Sequence, residues 1–138
     1  MTFHLGRLID HVHLVVADLP RSAKFYRAVL ESVGIAVARD NEHFLQADEL
    51  FISGPYGPGS TVSHVHLAFQ AADRATVDGF YKVALAAGGK DNGPPGERPY
   101  HPGYYAAYVL DPDGNNIEAL FHGPGTRSAK SIEVEPTL

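Results

Sequence analysis

The chain has 138 residues, a net charge of −5 and no cysteine. That length fits one domain with a real core, and the acidic balance argues against nucleic acid, whose phosphates want a basic face. Without cysteine there is no disulfide framework, no thiolate metal site and no cysteine nucleophile, and a reducing cytoplasm is the default expectation.

Residues 1–8 read as a short lead-in, and MTFHLGRLIDH lacks the apolar core of a signal peptide. No run is long and apolar enough to suggest a membrane span. From Ile9 to Val16 the residues alternate, with Val12, Leu14 and Val16 on one face and His11, His13 and Val15 on the other. A period of two predicts a strand. Asp18 is placed to cap a helix that carries Pro20 in its first turn. Leu19, Phe25, Tyr26, Val29, Leu30 and Val33 recur at helical spacing, and Gly34 ends the run. Three strand-like pieces follow, around Ile35–Arg39, His43–Gln46 and Glu49–Ser53, so residues 9–54 read as a βαβββ module.

GPYGPGS at Gly54–Ser60 is a linker. A second module is expected over residues 62–123. Its first strand, His64–Ala71, puts Val65, Leu67 and Phe69 on one face and His64, His66 and Ala68 on the other. Asp73 caps a second helix with Val77, Phe80, Tyr81, Ala84 and Leu85 as its stripe, closed by Gly88-Gly89. DNGPPGERPYHPG, about Asp91 to Gly103, reads as a long loop of the kind that binds ligands or forms lids. A strand at Tyr104–Leu110, a turn at Asp111–Gly114 and a last strand at Asn116–His122 complete the module. The tail, residues 124–138, is polar and is expected to fray or to lie on a neighbour.

The two modules repeat one another. A shift of 55 positions without a gap places His11 on His66, Asp18 on Asp73, Phe25-Tyr26 on Phe80-Tyr81 and Gly34 on Gly89. A rival shift of 53 aligns the two HVHL strings and breaks the helix match. The apolar strand faces must pack on the helix stripes, which leaves the histidines on the opposite face. The last strand obeys the same rule: with Ile117, Ala119 and Phe121 on the helix side, Glu118 joins the histidines. The expected architecture is α+β, two βαβββ modules forming a curved mixed sheet around a cavity, with the helices outside. His11, His66 and Glu118 then make a two-histidine, one-carboxylate set. Such donors suit Zn, Ni, Fe, Mn or Co, and three protein ligands leave positions open for substrate, the pattern of a catalytic site.

HVHLVVADLPRSAKFYRAVL, HLAF at His66–Phe69 and DPDGNNIEALFH at Asp111–His122 together resemble the signature segments of the vicinal oxygen chelate superfamily. That group includes glyoxalases, bleomycin-resistance proteins and extradiol dioxygenases. The resemblance covers residues 1–123 as one domain, and the segment from Gly88 to His122 is similar to a branch of small bacterial glyoxalase-like proteins. It implies metal ligands at His11, His66 and Glu118, with Glu49 a candidate fourth. It also implies a divalent cofactor (Zn, Ni, Mn or Fe), a small-molecule substrate and a homodimer, with the two modules pairing either within or between subunits.

The implied chemistry is metal chelation of an oxygenated substrate, with charge developing on the ion. His13, two residues from His11 on the same face, is the candidate acid/base, acting beside Glu118. From Arg98, Tyr100, His101, Tyr104 and Tyr105 in the loop and Tyr108 beyond it, Arg98, His101, Tyr105 and Tyr108 form the candidate substrate-binding set. The leading reading is a metal-dependent lyase or isomerase of glyoxalase type. The alternatives are an extradiol-type dioxygenase with an Fe(II) facial triad and a metal-free protein that sequesters a ligand.

Overall fold

The computed structural model describes residues 3–5, 8–129 and 131–137. In chain order the elements are β1 (Phe3–Leu5), β2 (Val12–Val15), α1 (Leu19–Ser32), β3 (Arg39–Asp40), β4 (Phe44–Ala47) and β5 (Leu50–Ser53). There follow β6 (His66–Gln70), α2 (Arg74–Ala86), β7 (Lys90–Glu97), β8 (Tyr105–Leu110), β9 (Asn116–Phe121) and β10 (Ile132–Val134). The fold is α+β, built from two βαβββ modules. Its strands divide between two four-stranded mixed sheets, ordered β2-β5-β4-β3 and β6-β9-β8-β7. In each sheet the first strand of the module pairs parallel with the last, and the other pairs are antiparallel.

Both helices begin where their caps dictate. Asp18 accepts from the Arg21 amide at 3.2 Å and Asp73 from the Thr76 amide at 2.7 Å, each satisfying an orphan donor of the first turn. Beyond α1 the chain turns through Gly34 at φ +82°, a conformation glycine adopts without steric cost. Leu19, Ala23, Phe25, Tyr26, Val29 and Leu30 of α1 and Val77, Phe80 and Ala84 of α2 are buried, in one core with Leu14, Val16, Ile52, Val109 and Ile117. Leu85, expected in the α2 stripe, lies at its flank and is 37% exposed. The two helices also pack on one another.

The modules are stitched together by hydrogen bonds as well as by the core. Val15 and Ser63 exchange bonds of 2.8 and 2.9 Å. Tyr26 of α1 reaches across to the turn of module two, donating its hydroxyl to Asp111 Oδ2 at 2.5 Å. Asp111 is itself held by the Asp113 amide and by the amide and side chain of Asn115. Asn115 in turn accepts from the Val65 amide at 2.8 Å.

Three expectations are corrected. The loop from Asp91 to Gly103 is mostly strand: Lys90–Glu97 forms the edge strand β7 against β8, with register shifts between Asp91 and Gly93 and between Gly93 and Gly96. An edge with bulges is where a sheet tolerates Pro94-Pro95, since missing amides leave no central ladder broken. The first strand-like piece of module one shrinks to Arg39–Asp40. Ile35 closes the end of α1 instead, its amide bonded to Leu30 O at 2.9 Å. The tail is not left loose, because β10 pairs antiparallel with β1 in a two-stranded ribbon, Leu5 opposite Ile132. Parts of the expected lead-in and tail (positions 1, 2, 6, 7, 130 and 138) lie outside the described residues.

Candidate functional site

Strand parity builds the site. In β6 and β9, Leu67 and Phe69 pack against the core and Ile117 and Ala119 are buried in it, so His66 and Glu118 project from the other face. The parallel register sets His66 opposite Asn116, with Glu118 two residues further on. Tyr108 of β8 pairs with Glu118 and shares its face. Tyr104, just before β8, and Tyr100 complete the wall of an open cavity of about 350 Å³ lined by His66, Tyr100, Tyr104, Tyr108, Asn116 and Glu118.

Glu118 is the chemical centre of this cavity. It is only 2% exposed, yet both its oxygens are engaged. Oε1 lies 2.9 Å from His66 Nε2, and Oε2 accepts from the Tyr104 hydroxyl at 2.5 Å. A buried carboxylate needs such partners. Two phenols answer to the same environment. Burial, then the Tyr104 bond to Glu118 and the carboxylate's charge, raise the Tyr104 hydroxyl above the ordinary phenol range. Tyr108 is pushed up to about 12 by burial first and the Glu118 charge second. Both phenols therefore stay protonated, and able to donate, throughout the neutral range.

The other candidate residues lie as follows. His11 is exposed and bonds to Asp10 at 2.7 Å. Among the described residues no group of three His, Asp or Glu side chains comes together to hold a metal ion, so His11 does not join His66 and Glu118 within this chain. His13 lies on the open face of module one, its Nε2 2.8 Å from Ser53 Oγ and its ring between Phe51 and Tyr56. Arg98 donates to Pro94 O at 2.6 Å and sits over the Tyr108 ring, 5.3 Å from its centroid. His101 stacks on His122, with 2.8 Å between their nitrogens, and presents its ring to Tyr104.

Tyr105 is elsewhere. Its hydroxyl donates to Asp78 of α2 at 2.6 Å and Arg74 lies over its ring, 4.6 Å from the centroid. Tyr105 and Tyr108 are three apart on one strand and must face opposite ways, so only Tyr108 reaches the cavity. Asn116 has no role in the sequence reading, and Tyr104, offered like Tyr100 by the expected loop, stands outside its substrate-binding set, yet each lines the cavity. Alternation was the available signal for both, since Tyr104 shares parity with Tyr108, and Asn116 with Glu118.

His66 and Glu118 fit a divalent cation as two of its ligands. In this structure the two side chains contact each other directly, with Nε2 2.9 Å from Oε1. Imidazole with carboxylate is the donor chemistry of Zn, Mn, Fe or Ni. What the fold and site define is a protein of paired βαβββ modules with a histidine–carboxylate pair on the open face of one sheet.

The sequence profile described as the Glyoxalase/Bleomycin resistance protein/Dioxygenase superfamily matches residues 8–119, and the chain belongs to that family. It is similar to the crystal structure of a glyoxalase/bleomycin resistance protein from Albidiferax ferrireducens T118, at 34% identity. That match covers 80% of this chain and 96% of the other, with a TM-score of 0.66. A glyoxalase-related enzyme from Fulvimarina pelagi shares the fold at 24% identity over 89% of this chain and 99% of its own, TM-score 0.64. A lactoylglutathione lyase from Agrobacterium tumefaciens shares it at 22% identity over 83% and 93%, TM-score 0.60. No curated protein matches the chain. Among the described residues no helix is long and apolar enough to cross a membrane.

Proposed function

We propose that the protein is a metal-dependent enzyme of the lyase or isomerase type that acts on a small oxygenated metabolite. The observation that carries this is the His66–Glu118 pair, 2.9 Å apart at the wall of the tyrosine-lined cavity. His66 and Glu118 hold the ion, and His11 supplies the third ligand. A bound divalent metal provides Lewis acidity for charge that develops on a substrate oxygen. Around it, Tyr104 holds Glu118 through its hydroxyl, Tyr108 presents a protonated hydroxyl to the cavity, and Arg98 lies over the Tyr108 ring. His13, steadied by Ser53, is the imidazole available for proton transfer.

The functional unit in this reading is a homodimer, with His11 of one chain completing the site of a second copy. Two features support it. His11 stands apart from His66 and Glu118 within one chain, and the cavity is lined by module-two residues alone. Module one has an open face of its own, carrying stacked Phe44 and Phe51 with His13 and Tyr56 beside them.

Mixing His11→Ala with His66→Ala chains tests both parts. In a shared-site dimer each heterodimer regains one intact site, so a statistical mixture recovers about a quarter of the parental metal per chain. Sites contained within single chains recover none. Metal binding by either variant alone as tight as the parent's would refute the ligand assignment. A metal-free, ligand-sequestering protein is the second reading, favoured by the fact that protein donors already satisfy both oxygens of Glu118. Purified protein that neither carries nor takes up Zn, Ni, Mn or Fe would favour it over the metal-dependent reading.

A further inference from the structure

We propose that Tyr104 is a positioning residue for Glu118. Its hydroxyl fixes Oε2 and so leaves Oε1, beside His66 Nε2, as the oxygen offered to a divalent cation. The proposal rests on the metal-site reading above and assigns a task to a residue that the ligand set does not include.

The geometry supports it from both sides of the bond. On the carboxylate side, Glu118 is almost fully buried, and its two oxygens are divided between two partners. A carboxylate free to rotate would exchange Oε1 and Oε2, or swing away from His66. A donor 2.5 Å from Oε2 removes that freedom. On the tyrosine side, the ring is held edge-on by three neighbours: Tyr100 at 5.0 Å, His101 at 5.3 Å and His122 at 5.5 Å between centroids. His101 and His122 are in turn bonded to each other, and His101 to Pro102 O at 2.9 Å. The backbone adds a further restraint, with Tyr104 N bonded to His101 O and Tyr104 O to Arg98 N. The phenol is therefore oriented before any ligand arrives. Groups that hydrogen-bond a metal ligand typically contribute about 10–100-fold in metal affinity.

The test compares Tyr104→Phe with the parent, with Glu118→Gln and His66→Ala, and with Tyr105→Phe. The last removes a hydroxyl bond of 2.6 Å made by the next residue, which faces the other way. Zn²⁺ affinity is measured by chelator competition, and the visible absorption of bound Co²⁺ reports ligand geometry. Thermal midpoints of the metal-free proteins control for folding. The expected result is an affinity about 10–100-fold weaker in Tyr104→Phe, with an altered Co²⁺ spectrum. Tyr105→Phe should match the parent, and Glu118→Gln and His66→Ala should lose binding. If those two lose binding while Tyr104→Phe stays within about threefold of the parent (under 1 kcal/mol), the positioning role is overturned and the metal site stands. If Glu118→Gln and His66→Ala bind as the parent does, the metal site itself falls and the proposal with it.

Discussion

Replacing Tyr26 by Phe isolates the bond that ties the modules together. The Tyr26 side chain is fully buried and donates its hydroxyl to Asp111, which is 4% exposed. Phe retains the ring and its packing, so the change removes one hydrogen bond to a buried charge and little else. Such bonds contribute about 1.5–3 kcal/mol. Asp111 keeps three other donors, from the Asp113 amide and from the amide and side chain of Asn115, which puts the expected loss at the lower end, about 1.5–2 kcal/mol. For a chain of this size about 4 °C per kcal/mol is reasonable, giving a fall in Tm of roughly 6–8 °C. The pH dependence supplies a second reading. Burial foremost, then the Asp111 charge, raises the Tyr26 phenol above its ordinary value. A raised folded value gives stability that is fully present below about pH 10, the unfolded phenol value, and is lost as pH climbs above it. The parent should therefore lose more stability above pH 10 than the variant. Urea denaturation across that range measures both effects. A Tyr26→Phe protein within about 0.5 kcal/mol of the parent, the range of an ordinary surface change, with an unchanged alkaline slope would refute the reasoning.

Two further outcomes follow from the same packing. Gly89→Ala should cost about 1–3 kcal/mol, because a Cβ there would stand 2.5 Å from Val109 Cγ1, 2.8 Å from Phe25 Cε2 and 2.8 Å from the backbone oxygen of Ala84. An unchanged denaturation midpoint would show that the α2–β7 junction gives way more easily than these distances allow. In metal-free protein the phenolate absorbance should lose a step near pH 12 when Tyr108 is replaced by Phe. The raised value also means that Tyr108 withdraws stability as pH rises from its ordinary value of 10.0 to about 12. A Tyr108 step at the ordinary phenol value would place the ring away from Glu118.

Much of this was legible in the sequence because it depends on period and parity. Asp18 and Asp73 cap the helices as their positions imply, and the alternation of β6 and β9 puts His66 and Glu118 on one open face. What escaped depends on long-range pairing. Pro94-Pro95 argue locally for a loop, and only the presence of β8 makes that stretch an edge strand. The tail becomes a strand because β1 is there to pair with it. Nothing near Tyr26 in the chain announces Asp111, 85 positions away. Tyr104 and Tyr105 are chemically identical neighbours, and the strand's phase alone decides which of them meets Glu118.

That phase also resolves the choice between the two repeat offsets. The helices obey a shift of 55, but the two partnered sheet histidines, His13 and His66, obey 53. In module one His13 stands opposite Phe51, and it bonds the residue two further on, Ser53, at 2.8 Å. In module two His66 stands opposite Asn116, and it bonds the residue two further on, Glu118, at 2.9 Å. The same place in each module thus holds a histidine with a short partner, and the partner is a serine in one and a carboxylate in the other. A neutral hydroxyl beside an imidazole is a poor divalent-cation site, whereas a carboxylate beside one supplies both charge and a hard donor. The duplication therefore places a histidine–hydroxyl pair on one sheet and a histidine–carboxylate pair on the other. His11 lies just ahead of β2, with its ring exposed and only Asp10 beside it. It belongs to neither sheet's polar pair, which is why the proposed site draws it from a second copy.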